Sequence, residues 1–467
     1  MAISFGIWDI LVIVLFIGSL IGVSVWSSRK VVSSESFSVA DRSLTLKIMI
    51  GTTVATCLGA GSAVGNLGNT WSMGIAMIAI QGMWHIGWLV LIVIAKKLRE
   101  SNATSIPDFF GKKFGPVTKA IASLVVLMFV INVTASQVAA VATIVEGFGL
   151  TSYKTAVLIA GVVIILFTVT GGLYSVAITD TIQAVLIVGG IGIALPVVAF
   201  SKAGGIGYVF ANTNPSLLSL KSVSFPVLLG WLVSYILAAA SNPGYIQRIL
   251  SSKDVRTARL GTLWSDIIAF VFGTIMMLTV FCMPFLFPNL NNGDLFTSTA
   301  IMTLFPVGIR ALILCALIGQ VLSTADSFLL LIGTTAAEDI YQLFKPNTEP
   351  DKMLKIVRAF TIIGGVLAVF LSLSGKGILV IFKTGASAIG AGLAFPLFCA
   401  CFWKKVRASA INAGALFGCF ATIIWNQFFK SMINIDGVII GALGCAIIVT
   451  VMTLCQKPEK PLGEKTA

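Results

Sequence analysis

The sequence predicts an all-α integral membrane protein of about thirteen transmembrane helices, and three observations predict it. Of 467 residues, 57% are hydrophobic and only 10% charged, against about 25% charged in a soluble globular domain. The apolar residues form repeated runs separated by short polar stretches, each suited to a hydrocarbon layer that takes about 20 helical residues to cross. The basic residues between the runs fall mostly on one side of the inferred membrane.

Taken in order, the runs lie at about 6–26, 46–70, 72–95, 117–146, 155–170, 175–201, 224–245, 259–287, 308–337, 356–375, 377–403, 408–429 and 436–456. The first lacks a basic leader and a small-residue cleavage site, so it reads as a retained span. With the N-terminus outside and the C-terminus cytoplasmic, 24 of the 31 Lys and Arg residues fall on the inner side. The outer side receives only Lys154, Lys202, Lys221, Arg310, Lys376 and Lys430, and Lys383 alone falls inside a span. A missed span would invert every later loop and erase the asymmetry. The expected location is therefore a cell membrane, inner or plasma, crossed many times. The inner loops near 97–117 and 339–356 are short, no soluble domain is visible, and the polar tail after Cys455 is expected to stay disordered.

Composition also excludes functions. A net charge of +13 invites a nucleic-acid reading, but the charges sit in short clusters between apolar runs and form no single basic face. All eight cysteines lie in apolar stretches without metal spacing, where thiols act as small hydrophobes. His85 is the single histidine, which excludes an HExxH protease and any multi-histidine metal centre. With scattered acids and no nucleophile–base constellation, the chain is not read as an enzyme. A sensor would add a signalling domain, and a channel would share the helices but show far faster flux.

Polar or Gly-broken backbone at membrane depth is costly unless it lines a cavity. The second run carries VATCLGAGSAVGNLGNTWSMG, with Gly59, Gly61, Gly65 and Gly68; a broken helix frees carbonyls for a cation and amides for an anion, whereas the plainer reading is close helix packing. In the third run Gln81, Trp84 and His85 lie mid-span, the histidine reading more as a structural hydrogen-bonding group than as a relay. The sixth carries Asp180 and Gln183. The seventh ends AAASNPGYIQR, where Asn242-Pro243-Gly244 is either a second break or a plain cytoplasmic helix end before Arg248. In the ninth, LIGQVLSTADSFLLL brings Gln320, Ser323, Thr324 and Ser327 to one face, hard oxygen ligands that suit an alkali cation. Lys383 lies about 9 Å into the eleventh span at 1.5 Å per residue; it either snorkels outward or partners an anionic group.

Several stretches together resemble the sodium:solute symporter family across nearly the whole chain: TSIPDFFGKKFG, TGGLYSVAITDTIQ, GYIQRILSSKDVRTARLGTL, STADSFLLLIGTTAAEDIY and FWKKV, in order and at matching topological positions. The resemblance implies two inverted five-helix repeats at 46–203 and 224–403, each with a broken first helix and joined by an outer loop at 204–223. A leading helix and inner loop (1–45) precede them; two trailing helices (404–456) and a cytoplasmic tail (457–467) follow. It implies sodium as coupling ion, held at a primary site by carbonyls of Ala55, Leu58 and Gln320 and hydroxyls of Ser323 and Thr324. A further cation site falls on Asp180, Ser323, Asp326 and Ser327. Substrate positions map to Cys57, Ser62, Gln81, Trp84, Asn242 and Lys383, with Trp71 and Tyr245 as gate residues. Cys57 and Gln81 stand where sugar carriers have asparagine and glutamate, which lowers a sugar, and Lys383 raises a carboxylate-bearing solute. The implied activity is sodium-coupled symport of a small polar organic solute by alternating access, by a chain working as a monomer in the bilayer. The candidate solutes, in order, are amino acid, monocarboxylate, vitamin acid and sugar. The alternatives are a proton-coupled symporter of the same fold, acting through Asp180 or Asp326, and a transport-derived channel or sensor.

Overall fold

The structure, a computed structural model, describes residues 6–28, 33–59, 64–147, 151–170, 172–375 and 377–455. Its spans are α1 (Ile7–Ser28), α2 (Leu46–Cys57) continued by α3 (Asn66–Met73), α4 (Ile75–Glu100), α5 (Pro116–Gly147), α6 (Tyr153–Thr170) and α7 (Leu173–Lys202). Then come α8 (Phe225–Ala240) continued by α9 (Pro243–Ser251), α10 (Val255–Leu286), α11 (Ile309–Phe344), α12 (Pro350–Ser372), α13 (Ile378–Phe402), α14 (Ala408–Phe429) and α15 (Gly437–Cys455). Ten of these spans are long and apolar enough to cross a membrane by themselves, with α1, α2 and α6 as shorter apolar helices. Each coincides with one of the thirteen runs. The residues after Cys455 lie outside the described part of the chain.

The second and seventh spans are both interrupted. α2 stops at Cys57, and Leu58 leaves the helical region with φ −82°, ψ 49°. α8 stops at Ala240, and α9 restarts at Pro243, whose missing N–H is harmless in a first turn. Asn242 caps the restart, its Oδ1 accepting from the Gly244 amide at 2.9 Å. Gly74 ends α3 with φ +61°, and a Cβ there would lie 2.0 Å from the Leu217 carbonyl oxygen, so backbone angle and space both require glycine.

α11 is the central post. Over its most apolar stretch 83% of residues are buried within the protein, against 28% for α12 and for α15. A helix covered by protein on all sides can carry polar groups that lipid would reject, which is why Gln320, Ser323, Thr324, Asp326 and Ser327 all sit here. α1 is pinned beside it, the buried Asp9 carboxylate accepting from the Gly308 amide and from Arg310 Nε, both at 2.9 Å. Wide π turns at Ile187–Ala194 and Gly390–Ala394 absorb the carbonyl displacement that Pro196 and Pro396 impose on α7 and α13. The inner connection at 97–117, expected as a loop, contains the helix Ile106–Phe114, capped by Ser105 on the Asp108 amide at 2.9 Å. The outer connections contain Ile206–Asn212 and Phe296–Leu304. These helices are too short to span, so a search for long apolar runs passes over them.

Candidate functional site

The last carbonyls of a helix have no partner within it. At the end of α2, Val54 O is taken by the Leu58 amide at 2.9 Å, and the next two carbonyls turn towards α11. The Ser323 hydroxyl lies 3.0 Å from Ala55 O and 3.1 Å from Gln320 O. The Thr324 hydroxyl lies 3.1 Å from Thr56 O and 3.3 Å from Gln320 O. Two helices remote in sequence thus gather five buried oxygens without a charged side chain among them. Such a set matches the hard, singly charged alkali cations. Four of the five expected cation ligands, Ala55, Gln320, Ser323 and Thr324, come together here. Leu58 lies buried at the kink itself, and the carbonyl facing Thr324 is that of Thr56. Gly59 permits the approach: a Cβ there would meet Thr324 Oγ1 at 2.5 Å.

Of the expected second-cation residues, Asp180, Asp326 and Ser327 fall in a neighbouring cluster with an added member, while Ser323 belongs to the cage. Thr52 donates to Asp180 Oδ2 at 2.7 Å, and Thr56 and Ser327 hydroxyls lie 3.3 Å apart. Between them stands Arg248, fully buried, its Nη2 donating to Ser327 Oγ at 2.5 Å and Thr56 Oγ1 at 2.9 Å and lying 3.6 Å from Asp180 Oδ2. Its Nη1 donates to Gly244 O at 3.2 Å. Among the hydrogen bonds of the described residues, neither oxygen of the buried Asp326, nor Oδ1 of Asp180, accepts one. Of the two readings of Asn242-Pro243-Gly244, the structure shows the break, and Arg248 beyond it is buried. α9 restarts at Pro243, so Arg248 stands one turn along a fresh helix and points inward. A Pro followed by residues of helical spacing was the available signal.

A cavity adjoins the oxygen cage and shares Thr56 and Thr324 with it, with Leu58 and Gly59 alongside. Its volume is about 60 Å³, more than a single water molecule needs. Cys57, Gln81, Trp84, Asn242 and Tyr245, all singled out in the sequence, line it, joined by Asn66, Gln137, Tyr235, Phe328 and Phe382. The Trp84 ring meets Tyr235 edge-on at 5.4 Å and Tyr245 at 6.1 Å. The lining mixes amides and hydroxyls with aromatic and aliphatic side chains such as Val133 and Leu379; no described lining residue is charged.

Lys383 is not among the lining residues, and this corrects its expected substrate role. Its Nζ donates to Asp436 Oδ2 at 2.7 Å and rests 4.1 Å above the Trp231 ring. Lys430 reaches the same carboxylate oxygen at 3.0 Å. The anionic partner is thus part of the chain, 53 residues away, just before α15, and the argument from Lys383 to a carboxylate solute falls. Trp71 lies on α3 outside the cavity lining, packed against Gly293 of the turn Gly293–Leu295. Ser62 lies outside the described residues.

Two interrupted spans, an oxygen cage between one of them and the central helix, and an adjoining cavity define a membrane carrier of the broken-helix kind. Residues 37–422 match the sodium:solute symporter family, and the chain belongs to that family. Membership makes it a transporter and not an enzyme, and implies sodium as coupling ion. The chain is 25% identical to the osmoregulated proline transporter OpuE of Bacillus subtilis (strain 168) over 339 residues, 68% of this chain and 67% of that protein. It is 22% identical to the sodium/myo-inositol cotransporter of Mus musculus over 445 residues, 82% of this chain but 61% of that longer protein. The structure superposes on a substrate-bound outward-open Na+-coupled sialic acid symporter with a TM-score of 0.80 at 19% identity, covering 98% and 100% of the two chains. That likeness shows the fold.

Proposed function

We propose that the chain is a sodium-driven carrier of a small polar solute without net charge, with amino acids first, working by alternating access. The observation that carries the sodium half is the meeting of the Ser323 and Thr324 hydroxyls with the Ala55 and Thr56 carbonyls at the end of α2. A cation held there joins α2 to α11 and favours the conformation in which they touch, because an ion shifts a conformational balance only by its differential affinity. Leu58 is the further carbonyl the family pattern would add. Thr56 and Thr324 border both cage and cavity, so sodium shapes a wall of the solute site.

The solute half rests on the lining. A net charge moved into a cavity without a counter-charge meets a desolvation cost of several kcal/mol. Amides, hydroxyls and rings suit a zwitterion or a neutral polyol. Proline carriage by the Bacillus relative fits the first, and myo-inositol carriage by the murine one fits the second. One sodium ion entering across about 100 mV gains about 2.3 kcal/mol. A ten-fold sodium gradient adds about 1.4 kcal/mol, enough together for roughly 500-fold accumulation of a neutral solute. We assign repeats to 46–203 and 224–403, an N-terminus outside, a cytoplasmic C-terminus and a monomeric working unit.

A second reading, proton coupling, is favoured by the buried Asp326, whose carboxyl oxygens accept no hydrogen bond among those of the described residues and which stands beside a cluster that already holds Arg248. The experiment is uptake into proteoliposomes of L-proline, myo-inositol and the anion N-acetylneuraminate, with sodium present or replaced by choline. Accumulation of a net-neutral solute in sodium alone is the expected result. Unchanged uptake in choline defeats sodium coupling, a pH dependence that survives sodium removal establishes the proton reading, and preference for the anion overturns the assignment of solute class.

A further inference from the structure

A chain of hydrogen bonds runs from the cavity wall to a histidine–aspartate pair outside it. Tyr235 OH donates to Asn66 Oδ1 at 3.4 Å, Asn66 Nδ2 donates to Gln81 Oε1 at 2.8 Å, and Gln81 Nε2 lies 3.3 Å from His85 Nε2. His85 Nδ1 lies 2.6 Å from Asp266 Oδ1. All five side chains are buried. Tyr235, Asn66 and Gln81 line the cavity; His85 and Asp266 do not. Four elements contribute, α8, α3, α4 and α10, and Phe270 of α10 holds the His85 ring edge-on at 5.0 Å.

The direction of every bond in this chain follows from its far end. An ionised carboxylate accepts only, so His85 Nδ1 must carry the hydrogen; in the neutral ring Nε2 is then an acceptor. An acceptor at Nε2 demands the N–H side of the Gln81 amide. Its carbonyl is thereby turned to Asn66, which must answer with N–H, leaving Asn66 Oδ1 to receive the tyrosine hydroxyl. Without that constraint an amide can present either end, since its two termini have nearly the same shape. Gln81 also lies beside Gly273 of α10, where an added Cβ would stand 3.4 Å from Nε2.

The geometry points to His85 and Asp266 as positioning residues for solute recognition: they fix which ends of the Gln81 and Asn66 amides face the cavity, and so set its pattern of donors and acceptors. Once the chain is formed, Gln81 and Asn66 each keep one N–H and one carbonyl lone pair, and the Tyr235 oxygen keeps acceptor capacity. That mixed complement suits a solute that both donates and accepts, which an amino acid or a polyol does. This inference rests on the proposed neutral-solute site for its consequence, but not for its chemistry.

The test separates the two. Because the chain has one histidine, protein labelled with 15N-histidine gives a single pair of ring signals. In purified wild type at neutral pH the Nδ1–H tautomer is expected, and in Asp266→Asn a change to Nε2–H; an Nε2–H ring or an imidazolium in wild type overturns the proposal whatever the solute proves to be. His85→Asn retains a donor towards Asp266 but no acceptor for Gln81, whereas His85→Gln retains an acceptor near the Nε2 position. With L-proline and myo-inositol as probes, His85→Asn raises the half-saturating concentration of the accepted solute about ten-fold with the maximal rate and sodium dependence kept, and His85→Gln restores most of it. A fall in maximal rate alone, with solute affinity and the proline-to-inositol preference unmoved, marks a merely structural pair and overturns the proposal. If wild type takes up neither probe, the neutral-solute assignment fails while the tautomer result still decides the hydrogen-bond chain.

Discussion

Gly59→Ala tests the cage by crowding it from behind. A methyl group at this position would lie 2.5 Å from Thr324 Oγ1, 2.9 Å from Cγ2 and 3.0 Å from Cβ. Non-bonded heavy atoms settle at about 3.5–4.0 Å, so the threonine must withdraw by about 1 Å. Its hydroxyl, now 3.1 Å from Thr56 O, then passes beyond hydrogen-bonding range and leaves any cation held there one oxygen short. A hydrogen bond to a charged group contributes about 1.5–3 kcal/mol; a lost cation ligand of that order raises the half-saturating sodium concentration by about 10- to 150-fold. Thr324→Ala removes the same oxygen and produces a shift of the same order. It also removes two of the three clashing atoms, so Gly59→Ala in the Thr324→Ala background adds little, a strongly non-additive cycle. The assay is sodium-dependent thermal stabilisation of the purified protein, with choline holding ionic strength constant. It reads affinity directly because a ligand of the folded state raises the unfolding temperature in proportion to RT ln(1 + [L]/Kd). Unchanged sodium affinity in Gly59→Ala, or two effects that simply add, refutes the reasoning.

Other consequences follow from the two ion clusters. Arg248→Ala leaves Asp180 buried without its counter-charge and is expected to destabilise by about 3–5 kcal/mol, read as a lowered unfolding temperature in detergent; Asp180→Asn in the same chain recovers part of the loss. Lys383→Ala lowers the unfolding temperature while leaving the solute concentration for half-maximal uptake within about two-fold of wild type, because the lysine serves Asp436 and not the cavity. Burial raises the Asp436 carboxyl, but the charge and hydrogen bond of Lys383, with Lys430 behind it, outweigh burial and hold it down to about 2. Its folded value is below its unfolded value of about 3.9, so its contribution of roughly 2–3 kcal/mol is present above about pH 4 and disappears as pH falls through about 2. Acid titration of thermal stability should show that loss in wild type and not in Asp436→Asn.

The fold was largely legible because lipid imposes a simple rule on sequence: a span must be apolar and helical for about 20 residues. All thirteen apolar helices could therefore be read from the runs. The break in the second span was legible in its glycines, and that in the seventh in Asn242-Pro243-Gly244, although a helix end would have left the same residues. Ser323 and Thr324 were visible as adjacent hydroxyls in an otherwise apolar helix. What spacing could not show was which distant side chain answers which. Lys383 has the same local sequence whether it meets a solute or Asp436, and only the fold brings α15 back beside α13. Arg248 follows a break by few enough residues to pass for a cytoplasmic anchor, yet the restart at Pro243 carries it into the core. Asn66 and Tyr235 gave no signal of their own; their place on the cavity comes from the restart of α3 after the break and from α8 packing against α4.

The most direct measurement is equilibrium binding of 22Na+ to the purified protein, comparing wild type with the double variant Ser323→Ala/Thr324→Ala and with Lys383→Ala as control. Saturable binding in wild type and in the control, with the half-saturating concentration raised more than ten-fold in the double variant, is what the cage between α2 and α11 requires. Equal sodium binding by the double variant and wild type would contradict it.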